Sequence, residues 1–117
     1  MPTKIPKKLS TGEELFALNC KVLGVEYERE YAFVPGRKFR ADFYIPAAKL
    51  LVEVEGGTWI AGRHSRGVGM AKDCGKYNLA TRLGYRLLRY TTDMVERGDA
   101  LEDLESILGI ESDWRNG

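Results

Sequence analysis

The chain has 117 residues, of which 44% are hydrophobic and 30% charged, with a formal net charge of +1. That length serves one domain with a modest core, and the composition is that of an ordinary globular protein. No apolar run approaches the roughly 20 residues needed to span a membrane, and the opening MPTKIPKKLS has no apolar segment of the secretory kind, so a cytoplasmic location is expected.

The charge is unevenly spread. Residues 1–90 hold 16 Lys and Arg against 9 Asp and Glu, a net of +7, whereas residues 91–117 hold 2 against 8, a net of −6. A polyanion could meet the first part with the acidic tail turned away; an acidic helix that is merely solvated accounts for the tail equally well.

In chain order, residues 1–9 read as a flexible basic arm and residues 10–117 as a single domain. Ser10 and Glu13 form a capping box ahead of a helix whose apolar stripe is Leu15, Leu18 and Val22, ending at Gly24. EREYAFV and KFRADFYI are β-rich and are separated by the turn signal PGR; KLLVEVE follows after PAA, so three strands form an antiparallel meander. GGTWIAGRHSRGVG suits no regular element and reads as a loop with a task. MAKDCGKYNLATRLG predicts a second helix, with Tyr77, Ala80 and Leu83 on its core side, and YRLLRY a fourth strand. A final helix carries Leu101, Leu104, Ile107 and Leu108 on one face behind an Asp99–Glu102 capping box. Cys20 and Cys74 lack metal-ligand spacing and read as buried free thiols of a reducing compartment.

Three carboxylates stand inside the meander's apolar segments, where a charge is costly unless paired. Alternation puts Arg40, Asp42 and Tyr44 on one face of the second strand, and Leu51, Glu53 and Glu55 on one face of the third. The short PAA link sets a register in which paired residue numbers sum to 95, so that Asp42 faces Glu53 and Arg40 faces Glu55. Like charges so placed destabilise a sheet, and a divalent cation between them reverses the sign of that interaction. Oxygen ligands of this kind suit Mg²⁺, with Mn²⁺ as its substitute. The competing reading is a half-exposed sheet whose acids meet solvent, with Arg40 pairing Glu55.

The order of elements, together with RADFYIPAAKLLVEVEGGTW, a following histidine and a helix leading to LGYRLLRYT, resembles the PD-(D/E)XK nuclease superfamily from about Ser10 to Tyr90. Among its members the chain is most similar to small phage and prophage endonucleases related to the very-short-patch repair nuclease. The resemblance implies an α/β fold, a restriction-endonuclease-like αβββαβ core with a mixed sheet, here followed by a C-terminal helix. It also implies a metal-dependent DNA endonuclease of the nicking or structure-specific kind, serving phage functions, DNA repair or recombination. Asp42 and Glu53 match the two metal-binding acids. The motif lysine is replaced by Glu55, which is either a further ligand or orients the attacking water. Lys76 is the favoured replacement on the second helix, a relocation the family uses. His64, the only histidine, has an ordinary pKa suited to proton transfer at neutral pH, and is otherwise a structural loop residue. A first-helix acid often reaches the metal in this family, and Glu14, beside the apolar stripe, is preferred to Glu13.

Arg37, Lys38, Arg40, Arg63, Arg66 and Lys72 are candidates for phosphate contact, which supplies affinity without sequence information. Trp59 either stacks on a base or anchors its loop. DNA is therefore the expected partner, with no membrane and a possible homodimer. Two alternatives stay open: a Holliday-junction-resolving dimer, and a catalytically inactive DNA-binding module of the same fold.

Overall fold

A computed structural model describes residues 11–55 and 68–110, with side chains of the second stretch described from residue 73. The basic arm and the Ser10 cap lie outside these residues. The elements run α1 (Thr11–Leu23), β1 (Glu28–Ala32), β2 (Arg40–Ile45), a 3-10 turn (Pro46–Ala48), β3 (Leu50–Glu55), α2 (Val68–Arg82), β4 (Arg86–Thr91), α3 (Thr92–Glu96) and α4 (Asp99–Leu108). This is the expected α/β order with one helix added. The strands form a four-stranded mixed sheet in the order β1-β2-β3-β4, of which β1, β2 and β3 are the antiparallel meander. Among the described residues no helix is long and apolar enough to cross a membrane.

Local chemistry explains most boundaries. Between β1 and β2, Gly36 has φ +79° and the Arg37 N–H donates to the Val34 carbonyl at 3.1 Å, a turn with Pro and Gly at its two centres. The C-terminal ends of α1, α2 and α4 share one device. A left-handed glycine (Gly24, Gly84, Gly109) is followed by an N–H that reaches back five residues, as from Val25 to the Cys20 carbonyl at 2.9 Å. Thr91 caps α3 by accepting the Met94 N–H at 3.2 Å.

Contacts divide the described chain into two compact units. The first holds α1, the last residues of β3 and the chain from Tyr90 onward. Its buried residues on α1 are Gly12, Phe16, Ala17 and Cys20. The expected stripe is thus displaced: Leu18 is 53% and Val22 66% exposed. The reason is steric. A Cβ on Gly12 would lie 2.6 Å from Thr92 Oγ1 and 2.8 Å from Val54 Cγ1, so the helix packs through its small residues, which a count of large aliphatics overlooks. Phe16 stacks on Tyr90 at 6.4 Å between centroids, and the Tyr90 hydroxyl donates to Asp103 Oδ2 at 2.7 Å. In α4, Ala100 and Leu104 are buried. The expected Asp99–Glu102 capping box is absent: Gly98 is the N-cap, and Asp99 accepts instead from Arg97 Nε at 3.0 Å.

The second unit contains β1, β2, β3 through Glu53, α2 and β4 through Arg89. Phe33, Ala41, Leu51 and Ala80 form its buried cluster, with Tyr31, Tyr44 and Tyr85 packed against it. Tyr31 and Tyr44 stack at 4.2 Å, and Tyr85 meets Tyr44 edge-on at 5.7 Å. Lys49, itself left-handed at φ 50°, closes the α2 end, with Nζ 3.4 Å from the Leu83 carbonyl and 5.1 Å from the Tyr85 ring centre. A cation at a helix C-terminus complements its exposed carbonyls. Both cysteines are free, as expected, but only Cys20 is buried; Cys74 lies on the exposed side of α2.

Candidate active site

Burial along β2 alternates strictly. Ala41, Phe43 and Ile45 are buried, while Arg40, Asp42 and Tyr44 occupy the other face. Every observed β2–β3 pair obeys the expected register: Phe43 with Val52, Tyr44 with Leu51, Ile45 with Leu50. The observed pairs end at Phe43–Val52, and one residue further the same register would set Asp42 opposite Glu53. All of β3 from Leu50 to Val54 is buried, so Glu53, 8% exposed, is a charged residue in an otherwise apolar strand.

Two consecutive residues of α2 meet that charge. Lys76 Nζ donates to Glu53 Oε2 at 2.7 Å, and the Tyr77 hydroxyl donates to Oε1, also at 2.7 Å. Each carboxylate oxygen therefore has a donor, which is the condition for keeping a buried carboxylate in place. The Arg89 guanidinium lies over the Tyr77 ring, 4.6 Å from its centre, a cation–π contact that steadies the phenol. Burial, and then the hydrogen bond to Glu53, push the Tyr77 hydroxyl well above the ordinary tyrosine range, so it stays a donor.

A second acid stands beside Asp42. The β1–β2 pairs Arg29–Phe43 and Tyr31–Ala41 bracket Glu30 and Asp42, which lie six residues either side of Gly36. Glu30 takes φ +49° within the strand, a left-handed conformation that is costly for a residue with a Cβ. Glu30 and Asp42 each bring a carboxylate oxygen within 4.8 Å of the other. Such an all-oxygen donor set fits a hard divalent cation of the Mg²⁺ class.

The sequence-derived candidates divide accordingly. Glu53 and Lys76 meet in the ion pair, and Asp42 stands beside Glu30. Glu55, two residues beyond Glu53, is exposed at the end of β3, where its carbonyl accepts from Thr92 Oγ1 at 3.4 Å. On α1 the burial of the two acids is reversed from the expectation: Glu13 is half-buried and Glu14 exposed, because the packed face is that of Gly12 and Phe16. Arg37, Lys38 and Arg40 are exposed around the β1–β2 turn. Lys72 belongs to α2, one turn before Lys76, with its side chain outside the described set. Trp59, Arg63, His64 and Arg66 lie outside the described residues.

Sequence reasoning missed Glu30, Tyr77 and Arg89. Glu30 could have been found from the symmetry of the Pro35–Gly36 turn. Tyr77 was assigned to the core on helical period, and Leu83, assigned with it, is exposed. The ring of Tyr77 is indeed half-buried, but its hydroxyl serves Glu53.

No protein-family model and no curated protein sequence matches the chain. Among solved structures, it is similar to the homing endonuclease I-Bth0305I catalytic domain, with 20% identity and a TM-score of 0.64 over 89% of this chain and 100% of that one. At that identity the likeness is one of fold: the mixed sheet and helices of this chain are arranged as in an endonuclease catalytic domain.

Proposed function

We propose that the protein is a metal-dependent DNA endonuclease that hydrolyses phosphodiester bonds, in nicking or structure-specific fashion, in phage DNA metabolism, repair or recombination. The observation that carries this reading is the Lys76–Glu53 pair of 2.7 Å, on a strand whose register with β2, extended by one residue, would set Asp42 opposite Glu53. A buried strand acid paired with a helix lysine, with Asp42 on the neighbouring strand, suits the chemistry of phosphoryl transfer, and the fold shared with an endonuclease domain supports the reading.

In this reading Asp42 and Glu53 hold Mg²⁺, with Glu30 alongside Asp42 and Glu55 a further candidate. The bound ion supplies charge neutralisation at the phosphate and lowers the pKa of water. Lys76 places a positive charge where negative charge develops on the phosphate oxygens. Tyr77 fixes the orientation of Glu53. Arg37, Lys38 and Arg40, exposed together, contact the DNA backbone, and such contacts weaken with rising salt.

The experiment is a nicking assay on supercoiled DNA with and without Mg²⁺, using Asp42→Ala and Glu53→Ala. The expected outcome is Mg²⁺-dependent relaxation that both substitutions abolish. Cleavage persisting unchanged in both variants would remove the assignment, and DNA binding without turnover in any metal would leave the inactive-module alternative.

A dimeric, junction-resolving form of the same enzyme is favoured by one observation, the exposure of Leu18 and Val22 one turn apart on α1. Light scattering of the wild type and of Leu18→Glu decides it: a dimer that the substitution dissociates supports the form, and a monomeric wild type ends it.

A further inference from the structure

Glu53 is gripped at both oxygens from a single helix, but its two donors are unlike. Tyr77 brings a neutral hydroxyl, on a ring that also meets the Arg89 guanidinium. Lys76 brings a full positive charge on a flexible four-carbon stem, and its side chain keeps 18% exposure against 11% for that of Glu53. A carboxylate this enclosed needs a cation beside it for the fold to tolerate its charge. In the folded chain that cation is Lys76.

We infer that Lys76 is an exchangeable counter-ion. It occupies the positive position at Glu53 while no metal is bound and leaves when a divalent cation takes that carboxylate, whereas Tyr77 stays. The inference rests on the reading of Glu53 as a metal ligand and adds what holds the site together before loading. Two cations cannot share one carboxylate closely without repulsion, so the ammonium must move outward as the carboxylate is claimed. Its stem then carries it toward solvent, the side from which a phosphodiester approaches. Tyr77 has no charge to repel a metal ion and so has no reason to leave.

The test is Mn²⁺ binding to the full chain without DNA, followed by the paramagnetic resonance signal of the free ion, for the wild type, Lys76→Met, Lys76→Arg and Glu53→Gln. Removing the competing charge in Lys76→Met is expected to tighten Mn²⁺ binding at least tenfold. Lys76→Arg, which keeps the charge, is expected to stay within about threefold of the wild type, a difference of well under 1 kcal/mol. Equal or weaker binding by Lys76→Met, with Glu53→Gln still abolishing it, overturns the counter-ion role and leaves Glu53 a ligand. Unaltered binding in Glu53→Gln, or none in the wild type, overturns both. Should Lys76→Met not fold, the wild type answers alone. The lysine ε-methylene resonance that Lys76→Arg removes is expected to shift during a Mg²⁺ titration in step with binding, and an unmoved resonance overturns the inference.

Discussion

Lys76 and Glu53, 23 residues apart in the chain, form an ion pair of 2.7 Å that joins the middle of α2 to the buried strand β3. A helix whose pattern carries little amphipathic signal is thereby fixed over the sheet by a polar contact as well as by the burial of Ala80. The neighbouring Tyr77 completes the arrangement, and the properties of this group are open to direct measurement.

Tyr77→Phe keeps the ring and deletes the hydroxyl, leaving Glu53 Oε1 without its donor. Urea unfolding is expected to show a loss of about 1–3 kcal/mol, the cost of stranding a buried acceptor. If the site is an active centre, the same change lowers turnover through misorientation of Glu53. A loss below about 0.5 kcal/mol, typical of a surface substitution, contradicts the buried contact.

Glu30 combines a strained backbone with a carboxylate beside Asp42, and two substitutions separate these features. Both Glu30→Ala and Glu30→Gly delete the acid, while only glycine relieves the left-handed φ. Glu30→Gly is therefore expected to be about 1 kcal/mol more stable than Glu30→Ala. Both should weaken Mn²⁺ binding several-fold if Glu30 assists Asp42. Equal stability of the two variants in thermal melts would show the backbone to be unstrained.

Two helical glycines predict opposite results. At Gly12 an added methyl meets Thr92 and Val54 at 2.6 and 2.8 Å, so Gly12→Ala is expected to cost about 1–3 kcal/mol through overpacking. At Gly75, within α2, a Cβ would have nothing within 4 Å. Gly75→Ala should instead stabilise by about 0.5–1 kcal/mol, the helix-interior preference for alanine. Chemical denaturation of the pair checks both signs.

Alkaline solution should destabilise the protein. Burial pushes the Cys20 thiol from 9.0 up to about 12; the Tyr85 hydroxyl, and then burial, push Tyr31 from 10.0 up to about 12; burial and Asp103 drive Tyr90 upward as well. Folded pKa values above the unfolded ones mean that the folded state retains protons which the unfolded chain has lost. The stabilisation is complete below pH 9 and is lost as pH rises from 9 through 12. Melting temperature is expected to fall between pH 8 and pH 10.5, and Cys20→Ala should flatten the decline. A melting temperature unchanged over that range would contradict the burial of Cys20 and Tyr90 and the Tyr31–Tyr85 contact.

The meander was legible because three independent signals agree. The β-rich segments alternate, the PGR turn carries Pro and Gly in the required order, and the PAA link is too short to allow another register. Those local constraints give the β2–β3 register without any long-range information. The helices were less legible. In α1, Leu15, Leu18 and Val22 form a plausible stripe, yet contact runs through Gly12, Ala17 and Cys20, because close approach selects the small residues. In α4, Asp99 reads as a cap but is taken by Arg97, while Gly98 makes the turn.

The sequence by itself determined the α/β order and the hairpin register, since both follow from alternation and turn chemistry acting over a few residues. Only the tertiary structure decided which helix side chains reach Glu53. Lys76 and Tyr77 lie 23 and 24 positions from Glu53; the family resemblance alone points to Lys76, and helical period assigns Tyr77 to the core. Their meeting depends on how α2 lies across the sheet, and the small residue Ala80, packed with Leu51, brings them near enough to satisfy a buried charge.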